Sequence, residues 1–379
     1  MTHKTKGIIA ISALIAAAGL GAWWWRSHSL GSTIRIGSIL GLTGPNSAYG
    51  QKMLTGFQFA LDEVNGQGGV SGKQIDLIAD DSQFDPVKAV NAYRRLTAAD
   101  GIRLIVGVTG SKNALSVCSA AKGEDVVILD PLGSAPKLTT ERAPGYFRIM
   151  ASDAFAGRYN ADWAAAEGMK HPVIVYQEDE WGASYRDSLQ QSLTEKGYGS
   201  TAAYGVTEGT RDFKTHVLKL RASEPDVIFL LLYAGTGAAF MRDLRQQAVK
   251  AIVYGSDNIS SAEFTAAGPD AIEDVRVAMP TPASGPTYDD FVAKYRQKYG
   301  GTPDANVIKS YDAMKLMIHA VAVNGTDPHR IVGFFSSPDF SYLGVSGPIR
   351  FDKNGDLIGQ QYTRMVYHSS QLVPMEQGR

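Results

Sequence analysis

Ser111, Ser134 and Asp257 each stand just beyond a short apolar run, in Gly107-Val-Thr-Gly-Ser111, Asp130-Pro-Leu-Gly-Ser134 and Gly255-Ser-Asp257. Two hydroxyls and a carboxylate in such places suit the holding of a ligand. Hydroxyl and backbone N–H donors take an anionic group, and an acid takes a cationic one. Tyr49, Trp181 and Thr236 occupy equivalent places, in Thr43-Gly-Pro-Asn-Ser-Ala-Tyr49, Glu180-Trp-Gly and Tyr233-Ala-Gly-Thr236. Each also has an ordinary reading: a helix-capping serine, a Pro/Gly turn, an aromatic packed at an interface, or an acid in a surface turn.

Catalytic chemistry finds no comparable foothold. The seven histidines show no metal-ligand spacing, and no serine occupies a G-x-S-x-G turn. Gly68–Lys73 has the wrong glycine spacing for a phosphate loop, with Gln74 where Ser or Thr is required. Gly37, Gly41 and Gly44 miss the dinucleotide spacing. Asp352-x-Asn354-x-Asp356 starts like a calcium loop but lacks the closing Glu, so Asn354-Gly355 is expected to turn a hairpin. We expect no metal, no cofactor and no enzymatic activity.

Composition narrows the partners. Lys and Arg number 37 against 38 Asp and Glu, interspersed, for a net charge of −1. That leaves no basic face for nucleic acid. The single cysteine, Cys118, precludes an internal disulfide, so stability must come from apolar cores. Lys4 and Lys6 precede the apolar run Gly7–Trp25, and Arg26 follows it. Such a pattern is an export signal, although about 19 residues exceeds the usual core of roughly 7–15 and approaches the length that spans a bilayer. Trp23, Trp24 and Trp25 suit the lipid–water boundary. Residues 1–30 are expected to be a cleaved signal or a retained anchor, and the rest to be periplasmic.

The elements that must position the polar groups alternate. A strand at Ile34–Leu40 leads through a Gly/Pro/Asn turn to a helix over Tyr49–Asn65, and Asp85-Pro86 caps another. Val227–Tyr233 (VIFLLLY) is apolar throughout, as a parallel strand covered on both faces requires. Asp153 is expected to cap the helix that opens a second βαβ series, and Gly145–Ile149 to be an extended crossing. These patterns predict an α/β protein of two doubly wound parallel-sheet lobes. The expected boundaries are residues 31–150 plus 280–345 for one lobe and 151–279 plus 346–379 for the other. Three hinge segments, near Met150, Met279 and Val345, would then permit closure and resist twisting.

The order and spacing of these pieces resemble the type I periplasmic binding proteins of the branched-chain amino acid (Leu/Ile/Val) transporter family. The resemblance covers roughly Ile34 to Met365 and is carried by L-T-G-P-N-S-A-Y-G, A-L-D-E-V-N-G-Q-G-G-V-S-G-K, D-D-S-Q-F-D-P-V-K-A-V, D-P-L-G-S-A-P-K-L-T and G-P-I-R-F-D-K-N-G-D. It implies a Venus-flytrap fold whose cleft holds an amino acid. The ligand carboxylate would fall to Ser111 and Ser134, and the ammonium to the Leu132 carbonyl and Asp257. Tyr49 and Trp181 would wall the pocket, and Thr236 stands where family members can carry an aromatic. Lys112 replaces a small hydroxyl residue, so a polar, amide-bearing or acidic ligand stands beside leucine. The implied partner is an ABC permease of the inner membrane. A ligand-sensing receptor or regulator of the same fold is the alternative.

Overall fold

The computed structural model describes residues 33–44, 46–281 and 283–375; the expected export segment, residues 1–30, lies outside them. No described helix is long and apolar enough to cross a membrane.

Strands β1 (Ile34–Leu40), β2 (Ile75–Asp81), β3 (Leu104–Val108), β4 (Val127–Asp130) and β5 (Tyr146–Arg148) form one sheet, ordered β2-β1-β3-β4-β5. Every pairing in it is parallel. β3, Leu-Ile-Val-Gly-Val, is buried along its whole length, because helices cover both faces of such a sheet. The expected bare crossing at 145–149 contains β5, which closes the sheet's edge before the chain leaves the lobe. A second sheet takes β6 (Pro172–Gln177), β7 (Ala202–Val206), β8 (Val227–Leu231), β9 (Ile252–Gly255) and β10 (Arg276–Pro280), ordered β10-β9-β8-β6-β7 and again parallel.

The later chain returns to the first lobe. Helix Ala305–Asn324 lies against helix Ser47–Gly66, burying Met314, Met317 and Ile318 with Met53, Phe57 and Leu61. Gly56 permits this approach: a Cβ there would sit 2.5 Å from the Val307 carbonyl oxygen. Helix Pro328–Phe335, capped by the Asp327 carboxylate, joins the same core. A short antiparallel hairpin comes next, β11 (Tyr342–Gly344) with β12 (Gly347–Ile349). Only then do β13 (Tyr362–His368) and β14 (Gln371–Pro374) extend the second sheet, antiparallel to β10 and to each other.

The third hinge is therefore later than the expected crossing near Val345, and residues 346–357 belong to the first lobe. Val345, Ile349 and Leu357 are buried in its core beside Phe147 and Phe335. Asp356, in the Asn354-Gly355 turn, accepts from Arg148 Nε at 2.7 Å and from the Thr139 hydroxyl at 2.6 Å. The crossing lies between Leu357 and Tyr362. There it runs beside the second crossing, with Thr281 N–H donating to the Gln361 carbonyl at 2.8 Å.

Candidate functional site

The loops after the parallel strands of both sheets converge on one cleft, and the first lobe's side of it is bound tightly from beneath. Asp130, at the end of β4, is fully buried and accepts from the N–H groups of Leu132 and Gly133 at 3.0 and 3.2 Å and from the Tyr146 hydroxyl at 2.9 Å. Burial still pushes its carboxyl up to about 6. Arg148, equally buried, donates to the Ala135 carbonyl at 2.8 Å, the Gly133 carbonyl at 3.3 Å and the Thr139 hydroxyl at 2.8 Å, besides its pairing with Asp356. Loop 131–135, which carries Leu132 and Ser134, is thus held at both ends.

Ser111 is the first residue of helix Ser111–Ala120; Gly110 is the residue that precedes it as N-cap. Its hydroxyl oxygen accepts from the N–H groups of Ser134 and Ala135 at 3.3 and 3.2 Å. An oxygen already accepting twice has its own proton left to give, and the helix N-terminus behind it favours an anion. Among the described residues no group donates to the Leu132 carbonyl.

The second lobe supplies rings and acids. The Trp181 indole stacks on Tyr233, with centroids 4.9 Å apart and planes at 21°, and its N–H donates to Asp153 Oδ2 at 2.7 Å. The Tyr233 hydroxyl donates to Asp179 at 2.7 Å. From the first lobe, Phe84 meets Tyr233 edge-on at 5.6 Å and Tyr49 lies 6.3 Å from it. Asp153 does not cap its helix as expected. The Ser152 hydroxyl does that, accepting from Ala154 N–H at 3.4 Å, while the Asp153 side chain turns inward to the indole. Asp257 follows β9 in a short turn and faces Asp153. Burial, with the Asp257 charge next, pushes the Asp153 carboxyl up to about 8, and burial pushes Asp257 up to about 6. Lys309, buried near Asp257, is pulled down to about 8 by the same desolvation.

These groups enclose a cavity of about 80 Å³. Tyr49, Ser111, Leu132, Ser134, Trp181 and Asp257 all line it; Thr236 does not. Helix Ala234–Gln246 begins two residues before Thr236, so that residue rides up the helix, and Tyr233, at the strand end, takes the place at the wall. The spacing did not mark Phe84, and it marked Met150 and Met279 as hinges and Tyr233 as the end of the most apolar run, none of them as pocket wall. Lys112 is also absent from the lining. Its ammonium lies over the Phe84 ring at 4.7 Å and reaches across the cleft to Glu208 at 2.7 Å. Glu208 accepts as well from Asn46 of the first lobe at 2.7 Å, and Lys137 bridges the lobes to Glu180 at 2.8 Å. Among the described residues no group of three or more His, Cys, Asp or Glu side chains is placed to hold a metal ion.

A cleft closed between two hinged α/β lobes, donors on one wall and acids on the other, has close counterparts. The chain is 25% identical over 350 residues to the Leu/Ile/Val-binding protein BraC3 of Rhizobium johnstonii, covering 90% of this chain and 94% of that one. It is 24% identical to the leucine-, isoleucine-, valine-, threonine- and alanine-binding protein of Pseudomonas aeruginosa, covering 96% and 97%. The solved leucine-binding protein LivK of Thermotoga maritima superposes with a TM-score of 0.83 at 25% identity, over 91% of this chain and 98% of that one. The profile of the periplasmic binding protein family matches residues 33–366. With that match spanning nearly all the described residues, the chain belongs to the periplasmic binding protein family.

Proposed function

We propose that this protein is the solute-binding component of an ABC importer: it captures a small amino acid outside the inner membrane and presents it to a permease. The carrying observation is the division of the cavity between lobes. The Ser111 and Ser134 hydroxyls and the open Leu132 carbonyl stand on one lobe, and Asp257 on the other. A zwitterion satisfies both walls only when they meet. Its carboxylate takes the Ser111 and Ser134 hydroxyls, and its ammonium takes the Leu132 carbonyl and Asp257.

Charge-assisted hydrogen bonds contribute roughly 1.5–3 kcal/mol each. Three or four of them, less the costs of ordering, reach about −8 kcal/mol, a micromolar affinity. Because the open form offers one wall only, the ligand binds the closed form better, and that difference drives closure. The amino acids named for the relatives support this class of ligand here.

Calorimetry of the mature domain against the twenty amino acids tests the reading. We expect at least one to bind with micromolar affinity or better, and Asp257→Ala to weaken it about 30-fold or more. Unchanged affinity in Asp257→Ala removes the ammonium assignment.

A further inference from the structure

The main-chain groups of an amino acid occupy only part of the cavity. They take Ser111, Leu132, Ser134 and Asp257 under the proposed function, on which this inference rests. The rest of the lining must meet the side chain, and it is mixed: Phe84, Met150, Trp181, Tyr233 and Met279 give an apolar part, and a polar part lies beside it. Lys52, one turn along the helix from Tyr49, lies 2.9 Å from Asp304 Oδ2, and both line the cavity. Asn306 stands beside them, and Asn258, Ser260 and Ser261 face them from the second lobe. Asp304 is held in place by its other oxygen, which accepts from Val307 N–H at 3.0 Å at the start of helix Ala305–Asn324.

From this lining we infer that the ligand's side chain is short, uncharged and able both to donate and to accept hydrogen bonds, an amide or hydroxyl side chain in place of a branched hydrocarbon. A paired ammonium and carboxylate side by side offer one donor and one acceptor. A primary amide matches them, its oxygen toward Lys52 and its NH₂ toward Asp304. A hydroxyl can do the same with one atom. A branched aliphatic chain packed over this pair, whose side chains are 29% and 43% exposed, would displace part of its water and return no hydrogen bond. A carboxylate side chain would meet Asp304, and a second ammonium would meet Lys52. The cavity of about 80 Å³ offers roughly half a dozen water-sized positions, which limits the chain's length. Lys112 is not the source of this polarity, since Glu208 occupies it.

A site built to hydrogen-bond a side chain rejects analogues that lack the bond far more strongly than an apolar pocket distinguishes methylenes. Calorimetry with the twenty amino acids should therefore rank asparagine, glutamine, serine or threonine first. Leucine, isoleucine, valine, aspartate, glutamate and lysine should bind at least ten times more weakly. Lys52→Met should weaken the first-ranked ligand about tenfold and leave alanine, which uses the main-chain anchors alone, unchanged; thermal denaturation verifies that the variant is folded. If leucine, isoleucine or valine binds as tightly as the polar group, or if Lys52→Met weakens alanine equally, this inference fails while the amino acid reading stands. If no amino acid binds, the reading beneath it fails first.

Discussion

The two walls of the cleft are built by different physics. The first lobe's loop 131–135 is fastened by a closed network: Asp130 holds its backbone N–H groups, Arg148 its carbonyls, and Ser111 the N–H groups of Ser134 and Ala135. The second lobe's wall is stacked rather than tied. Trp181 lies on Tyr233, and each ring hands its single donor to an acid, Asp153 or Asp179. Its remaining acid, Asp257, has no basic side chain on its own wall; the nearby cation, Lys309, comes from the first lobe's helix Ala305–Asn324. One wall is finished before a ligand arrives; the other is completed by it. The carboxylate end of the site is accordingly expected to be rigid, and the ammonium end to carry the dependence on conditions.

The sharpest break of that contrast is Asp356→Ala. It leaves the Arg148 guanidinium fully buried without its carboxylate, and removing one partner of a buried pair costs about 3–5 kcal/mol. We expect a loss of that size in chemical denaturation, with the first lobe affected. An equal loss from an acid on the open wall would erase the distinction between the two. On that wall, Trp181→Phe keeps the stacking face but removes the N–H that Asp153 accepts. The expected cost is about 1–3 kcal/mol of stability, with ligand affinity reduced in the same calorimetric panel.

These two networks also mark what the chain's own pattern could and could not reveal. That Ser111, Ser134 and Asp257 would line the cleft was legible because each follows closely on an apolar strand, and a strand's end fixes where its loop points. Thr236 was misplaced by the two-residue difference in where its helix begins. Tyr233 belonged to the apolar run and so looked like core. The fastening of the first lobe was hidden for another reason: Arg148 and Asp356 are 208 residues apart, and no local pattern announces such a pair. The same pair keeps residues 346–357 on the first lobe and moves the third hinge beyond Leu357. Helix Pro328–Phe335 went unread although its signal is local: Asp327-Pro328 repeats the Asp85-Pro86 signature. The Asn354-Gly355 turn predicts a strand over 357–367, most of which is β13, but pairs it with 347–351; only Phe351 and Leu357 bridge across that turn, and β13 pairs with β10 instead, a long-range choice that no local pattern carries.

Acidity separates the walls next. Asp153 and Asp257 keep their protons up to about 8 and about 6, above an ordinary carboxylate. The ligand-free fold therefore binds more protons than the unfolded chain between about pH 4 and pH 8. Their contribution to stability is complete below that window and is lost as pH rises through it. An ammonium ligand reverses the sense, because it requires Asp257 ionised. Affinity should rise about tenfold from pH 5 to pH 7, following one proton on a group near 6. Asp153→Asn should flatten the pH slope of the ligand-free melting temperature. Affinity independent of pH across this range would mean that Asp257 does not carry the ammonium.

The smallest effect expected is also the most specific to closure. Glu208 touches nothing in the cavity, yet it accepts from Lys112 and Asn46 of the opposite lobe at 2.7 Å each. Both partners flank binding elements, Lys112 next to Ser111 and Asn46 before the helix that carries Tyr49. These contacts exist only while the lobes are together, so they stabilise the closed form and not the open one. Lys112 is 15% exposed and Glu208 31%, so water and salt screen the pair, and a worth of roughly 0.2–1 kcal/mol is reasonable. Glu208→Gln should therefore speed ligand release two- to fivefold by stopped-flow fluorescence of Trp181. Association should stay nearly unchanged, and the difference from the native protein should shrink in high salt. Slower association with unchanged release would place Glu208 in the encounter of ligand with the open cleft, and the closure account of this bridge would be wrong.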